Sequence, residues 1–209
     1  MLSDIFLITG FGLMGPILAI FIKEGITGGS IFAVGLASTI HILVKSAVQL
    51  PFSRYVDSHK DKLRWLILGT FAMCSVPFIY MSATSIYHIF IAQVILGISG
   101  GLAFPTWLGL WSTNLDKKHE SFEWSLYSTL TGLGTAATAA IGAAIAQYFN
   151  FRVTFIFTGI LSCDSIIALP GGPGTIAELA IAYRYRKPLI FIKGYDNGIL
   201  NETLNKDRE

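Results

Sequence analysis

Four polar side chains inside otherwise apolar segments have types and spacing that point to chemistry. His41, Lys45 and Gln49 recur every four residues, so on a helix they share one face, and Gln93 lies within another apolar segment. Polar groups surrounded by apolar ones are costly unless they have partners, so these side chains are expected to line a polar cavity and to bind an anionic or hydroxylated solute. The alternative is structural: Lys45 reaches to the end of its apolar segment, and His41 bonds a neighbouring carbonyl.

A second candidate site is a glycine-rich turn at residues 170–178, between an apolar and an amphipathic segment. This order, followed by another apolar run at 188–192, predicts a βαβ unit. Glycines let backbone amides approach an anion, and the following helix presents its positive end, so phosphate is the expected ligand. The phosphate-binding candidates are Gly171, Gly172, Gly174 and Thr175.

Metal ions, cofactors and nucleic acids are not indicated. Cys74 and Cys163 both lie in apolar stretches without metal-ligand spacing, which predicts inert buried thiols. The formal net charge of +2 is too small to suggest a nucleic-acid partner. We therefore expect no metal site, no cofactor and no bound nucleic acid.

Long apolar segments must position the polar stripe. Only 13% of the 209 residues are charged, whereas about 25% is usual in soluble domains. A membrane-spanning helix needs about 20 mainly apolar residues. Six segments meet or approach that length: residues 5–22, 31–51, 65–82, 87–111, 122–149 and 151 to just past 160. The lipid bilayer is thus the expected partner, and the plasma membrane the expected location.

Basic residues between these segments predict the orientation, because basic loops stay in the cytoplasm. The gaps after the first, third and fifth segments carry one or none. The other two gaps hold Arg54, Lys60, Lys62 and Arg64, and then Lys117 and Lys118. Both termini are therefore predicted to be cytoplasmic.

The first three-quarters of the chain resembles the amino-terminal six-helix half of the major facilitator superfamily. Gly-Pro at 15–16 is typical of its first helix. Residues 53–64 resemble its loop signature, which is a glycine, an acid four residues on and a basic cluster, although Ser53 replaces the glycine. The resemblance implies a gating role in the family's manner, and the alternative is a solvated loop that only sets topology. The residues concerned are Asp57, Arg54, Lys60 and Arg64.

Residues 93–105 resemble the fourth-helix signature of the same family, with Gln93 in place of the usual arginine. In proton-coupled members that arginine is implicated in coupling, so its absence argues against proton antiport. The resemblance implies a secondary transporter of a small solute, and not an enzyme.

Residues 170–178 resemble the PGGxGTxxE signature of the LOG family, Rossmann-like nucleoside-monophosphate phosphoribohydrolases. The resemblance implies that Glu178 would be the catalytic carboxylate. The family's upstream arginine-bearing segment has no counterpart, and two strands with one helix bury too little to fold alone. We expect catalysis only where a partner chain completes the fragment.

Together these patterns predict a mainly α chain: a six-helix transmembrane bundle over 1–161, then an incomplete, cytoplasmic βαβ Rossmann-like fragment over 162–209. The sixth segment is too short if it ends at 161, and it consumes the first strand if it extends to 169, which suggests a chimera. The leading hypothesis is a half-size or truncated transporter, which a second six-helix half in a homodimer would complete. The alternatives are a membrane-tethered LOG-like nucleotide-binding or phosphoribohydrolase fragment, and a hybrid without function.

Overall fold

The computed structural model describes residues 2–58, 62–114 and 118–168. Within these ranges the chain forms seven helices, which confirms the mainly α class. They are α1 (Leu2–Gly12), α2 (Gly15–Glu24), α3 (Ile31–Ser58), α4 (Lys62–Ser82), α5 (Ile86–Asn114), α6 (Glu120–Tyr148) and α7 (Phe151–Ala168). Residues 169–209, which hold most of the expected βαβ fragment, lie outside the described residues.

The first expected span is broken into α1 and α2. At the break, two backbone hydrogen bonds each span three residues. Leu13 N donates to Gly10 O and Met14 N donates to Phe11 O, both at 3.2 Å. Pro16 falls in the first turn of α2, where a missing N–H leaves no intrahelical bond unmade. The proline therefore begins a new helix instead of kinking a continuous one.

The second expected span continues past its expected end at residue 51. Pro51 lies inside α3, and the helix runs on to Ser58. Membrane helices tolerate an internal proline where hydroxyl groups and neighbouring helices bond the carbonyls that it frees. The polar residues Arg54 and Asp57 consequently lie on the last turns of a helix and not in a loop.

The first strand of the βαβ fragment expected over 162–209 is wrong up to residue 168, where the structure has helix. α7 extends to Ala168 without interruption. Residues 165–168 (Ser-Ile-Ile-Ala) continue the apolar run without a glycine or proline, and Pro170 is the first residue that disfavours helix in its predecessor. Inside the described part of the chain, local sequence thus favours the helix over the strand.

The helices pack in two connected groups. α5 lies against both α3 and α4, whereas α7 contacts α1 and α4, and α6 contacts α1. The core lies where these groups meet, with Phe155 packed edge-on against Phe21 at 4.9 Å between ring centroids. Other buried members are Ile22, Ala37, Val76, Tyr80, Ile89 and Ala92.

Five of the described helical stretches are long and apolar enough to cross a membrane. They are Leu7–Glu24, Ile31–Ser58, Arg64–Ser82, Ile86–Ser112 and Glu120–Tyr148. The apolar part of α7, Phe151–Ser162, is shorter. The loops after α2 and α4 lie together, because Thr27 N donates to Thr84 O and Ile86 N donates to Thr27 O, both at 3.2 Å.

Candidate functional site

The seam between α3 and α5 brings together three of the four polar residues that the sequence singled out. The His41 imidazole on α3 interacts with the backbone of Gln93 on α5. Gln93 is 5% exposed, so its amide is held inside the bundle. His41 Nδ1 is buried and has no hydrogen-bond partner among the residues that the structure describes. A buried ring nitrogen without a partner is a group that a ligand hydroxyl can satisfy.

Lys45 lies one helical turn from His41 and turns toward α5. Its Nζ is 4.7 Å from the centre of the Phe104 ring, which is a cation–π contact. Its methylene groups pass beside Gly100, where a Cβ would meet Lys45 Cδ at 3.7 Å. The ammonium is therefore held beside the seam. Gln49, one turn further along the same face, is half-buried.

Two glycines on α5 make the close approach of α3 possible. A Cβ on Gly97 would lie 2.9 Å from His41 O and 2.9 Å from Val44 Cβ. A Cβ on Gly101 would lie 2.8 Å from Val48 Cβ. Real Cβ atoms do not approach other atoms this closely, so the spacing of α3 and α5 depends on both glycines. These residues set the distance between the two walls of the polar seam.

An aromatic cluster between α5 and α6 was not predicted. The sequence carries no local signal that pairs these rings, because a ring contact between two helices depends on how the helices pack. Trp107 and Trp111 are stacked at 5.8 Å and 7°, and Tyr127 lies 5.1 Å from Trp107. Trp124 completes the cluster at 6.1 Å from Trp111. The four rings fill the seam between α5 and α6 with apolar surface.

Asp4 on α1 was also missed, and it joins this cluster. The Tyr127 hydroxyl donates a hydrogen bond to the Asp4 carboxylate. Burial raises the pKa of Asp4, which precedes the first spanning segment, while the bond from Tyr127 acts in the opposite direction. A carboxylate directly before the first long apolar segment, residues 5–22, was the available signal. The contact ties the start of α1 to α6.

The residues of the expected gating loop occupy the facing ends of α3 and α4. Arg54 and Asp57 are exposed on α3, and Arg64 is exposed near the start of α4. Ser53, where the family's signature has glycine, donates its hydroxyl to Leu50 O at 2.9 Å. Lys60 lies outside the described residues. The described positions leave these charges beside one another at one end of the bundle.

The phosphate-site candidates Gly171, Gly172, Gly174 and Thr175, with Glu178, all lie outside the described residues. Among residues 2–58, 62–114 and 118–168, no group of three or more His, Cys, Asp or Glu side chains is placed to hold a metal ion. The polar seam between α3 and α5 is the site that the described part of the chain presents.

Comparison with known proteins identifies a transporter family over most of the chain. The Major Facilitator Superfamily model matches residues 1–172. Maltose permease of Geobacillus stearothermophilus is 25% identical over 173 residues, which covers 78% of this chain and 42% of the relative. The chain therefore spans less than half the length of that relative.

A second family model, described as the SLOG cluster4 family, matches residues 154–209. It overlaps the transporter match over 154–172, where α7 ends. The overlap falls on the residues for which the helix and the expected strand compete. With the larger match covering most of its length, the chain belongs to the major facilitator superfamily and carries a LOG-like fragment at its carboxyl end.

Proposed function

We propose that this chain is one half of a secondary transporter that moves a small hydroxylated solute past the polar seam between α3 and α5. The observation that carries the proposal is the packing of His41 and Lys45, on one membrane span, against a second span. The His41 imidazole meets the backbone of Gln93, and Lys45 Nζ lies 4.7 Å from the centre of the Phe104 ring. Polar groups at such depth mark solute pathways in membrane proteins. Imidazole, ammonium and amide groups all donate hydrogen bonds to hydroxyls. Gln49 extends the same donor surface by one turn.

A second six-helix unit is needed to enclose the pathway, and we propose that it is a second copy of this chain. α3 and α6 are the least covered spans: 11% of each is buried, against 44%, 39% and 61% of the other three. A Cβ on Gly35 or on Gly132 would meet nothing within 4 Å. These open positions on α3 and α6 let another helix approach closely. Superfamily halves related by an axis along the membrane normal make such pairing geometrically reasonable.

The proposal is tested by solute-dependent stability of the purified chain. A ligand that binds only the folded state stabilises it by about 2.7 kcal/mol at 100 times its Kd. We expect the melting temperature in detergent to rise with at least one sugar in a panel of mono- and disaccharides. Maltose is the first to try, given the name of the relative. If the solute is anionic, the melting temperature should rise with sugar phosphates instead. No rise in melting temperature with either panel would count against the site.

The charges at the ends of α3 and α4 are proposed to form the gate. In this proposal, charge pairing by Asp57 holds the two halves in the closed arrangement. The basic residues that take part are Arg54, Lys60 and Arg64. Asp57→Asn is expected to slow uptake without lowering the melting temperature, because Asp57 is exposed. Asp61→Asn removes the same charge four positions further along the sequence and is the control. Equal uptake by wild type and Asp57→Asn would show that Asp57 has no gating role.

The orientation with both termini in the cytoplasm is part of the proposal. The bridge between Thr27 and Ser85 places the loops after α2 and α4 at one end of the bundle, as this orientation requires. On a background without Cys74 and Cys163, cysteines at Thr27 and Ser85 should react with a membrane-impermeant maleimide in intact cells. A cysteine at Ser58, at the other end of α3, should react only after lysis. Labelling of Ser58→Cys in intact cells would show that the orientation is the opposite of the one proposed.

The match over residues 154–209 favours a second candidate function, a LOG-like nucleotide site built around Gly172 and Glu178. We propose that it is inactive unless another chain completes it. Binding of a nucleoside monophosphate to the purified chain, lost in Gly172→Asp, would establish the site. Hydrolysis by the purified chain, lost in Glu178→Gln, would contradict its inactivity.

A further inference from the structure

An apolar cleft lies at the end of α3, next to the polar seam. It has a volume of about 570 Å³ and is lined by Ala47, Val48, Pro51, Phe52 and Tyr55 of α3 and by Trp65 of α4. This volume falls within the range of about 300–1,000 Å³ that is usual for ligand sites. The transport proposal gives the cleft no role.

Three aromatic rings form one wall of the cleft. Phe52 and Tyr55 are stacked at 5.7 Å between centroids, and Trp65 meets them edge-on at 5.2 Å and 5.9 Å. Tyr55 remains 39% exposed, so the wall is not closed over by the rest of the bundle. Amphipathic rings of this kind concentrate at the level of lipid headgroups.

The cleft borders the seam between α3 and α5 at Val48, and it extends away from the solute pathway at Ala47 and Pro51. A helix turns by about 100° per residue, so residues two apart lie on opposite sides. Ala47 and Pro51 are each two positions from Gln49, so they lie across α3 from the polar stripe. A solute in the seam between α3 and α5 would not contact them.

Positive charge flanks the aromatic wall on both helices. Arg54 precedes Tyr55 on α3, Arg64 precedes Trp65 on α4, and both arginines are exposed. A cleft with an apolar interior and basic side chains beside it is complementary to a molecule with an acyl chain and an anionic head. Basic pockets between membrane helices bind anionic lipid head groups, and each basic residue near the surface adds about 1 kcal/mol of attraction.

We infer that this cleft is a binding site for an anionic phospholipid, with an acyl chain against Phe52, Tyr55 and Trp65 and the phosphate at Arg54 and Arg64. The leaflet that supplies the lipid rests on the proposed orientation, and in that orientation it is the cytoplasmic leaflet. The bound lipid would then lie beside Asp57, so its occupancy would couple membrane composition to the proposed gate.

The test uses the purified chain in detergent, titrated with phosphatidylglycerol or phosphatidylcholine carrying brominated acyl chains. Bromine quenches tryptophan at short range, so phosphatidylglycerol should quench Trp65 at concentrations at least 5-fold lower than phosphatidylcholine does. Trp65→Phe should lose this saturable quenching while the other three tryptophans remain. Ala47→Phe, which fills the cleft, should reduce it without changing helical circular dichroism.

The charge contribution is tested by Arg54→Gln with Arg64→Gln, which should weaken phosphatidylglycerol binding by about 10- to 30-fold. Lys23→Gln with Arg152→Gln removes the same charge at the other end of the bundle and should leave binding within 2-fold. Equal affinity for the two lipids, an equal loss in the control pair, quenching that survives in Trp65→Phe, or competition by free glycerol phosphate would each overturn the inference. Lipid binding in detergent requires neither transport nor a known orientation. The lipid site can therefore be disproved while the transport proposal stands, and the transport proposal can be disproved while the lipid site stands.

Discussion

Gly97→Val is expected to uncouple α3 from α5 and to abolish solute binding. Even a Cβ at this position would lie 2.9 Å from His41 O, and a backbone atom cannot move aside as a flexible side chain can. Added bulk in a packed interior destabilises by about 1–3 kcal/mol. The two helices must therefore separate, which moves His41 and Lys45 away from Gln93. The measurements are the melting temperature in detergent and the sugar-dependent increase in it.

Gly100→Ala is the matched control on the same helix. Its new methyl group would meet Lys45 Cδ at 3.7 Å, which is an ordinary contact. Alanine is also the better helix former. We expect the melting temperature of Gly100→Ala to equal or exceed that of the wild type. Equal melting temperatures for Gly97→Val and Gly100→Ala would contradict the close approach of α3 and α5.

Lys45→Gln is expected to weaken solute binding by about 10- to 100-fold while the bundle stays folded. A hydrogen bond to a charged group contributes about 1.5–3 kcal/mol, and each 1.4 kcal/mol is a factor of ten in affinity. The substitution also removes the contact of Nζ with Phe104, 4.7 Å away, which is a smaller loss in stability. Titration of the melting temperature with the solute gives both quantities.

Lys23→Gln tests whether the loss of any lysine has this effect. Lys23 lies in the last turn of α2, its Nζ is 3.4 Å from Glu24 Oε1, and its side chain is 51% exposed. Exposed ion pairs contribute little, so neither stability nor solute affinity should change measurably. If solute affinity is unchanged in Lys45→Gln, or is reduced equally in Lys23→Gln, Lys45 does not contribute to the solute site.

The polar seam was partly predictable because its signals are local. A spacing of four residues places His41, Lys45 and Gln49 on one face of any helix. Sequence also marked Gln93 as a polar residue within a span. Its meeting with His41 was not predictable, since it depends on how α3 rests on Gly97 and Gly101. Glycines show that something approaches closely, but not which helix does so.

The features that were missed depend on contacts between distant residues or on competing local preferences. Asp4 and Tyr127 are 123 positions apart, so no local pattern pairs them. Residues 5–22 were expected to form one span, whereas the structure divides them between α1 and α2 before Pro16. At residues 164–168 the same apolar run suits a strand and a helix, and the helix from Phe151 simply continues.

The central claim is that this chain moves a solute through a pathway completed by a second copy. Its most direct test is tracer counterflow by the purified chain alone, reconstituted at several protein-to-lipid ratios in liposomes preloaded with the sugar that raises its melting temperature. We predict saturable counterflow whose initial rate rises with the square of the protein-to-lipid ratio at low ratios, because two copies must pair. No counterflow above that of protein-free liposomes, from protein that remains helical and still binds the sugar, would contradict the claim.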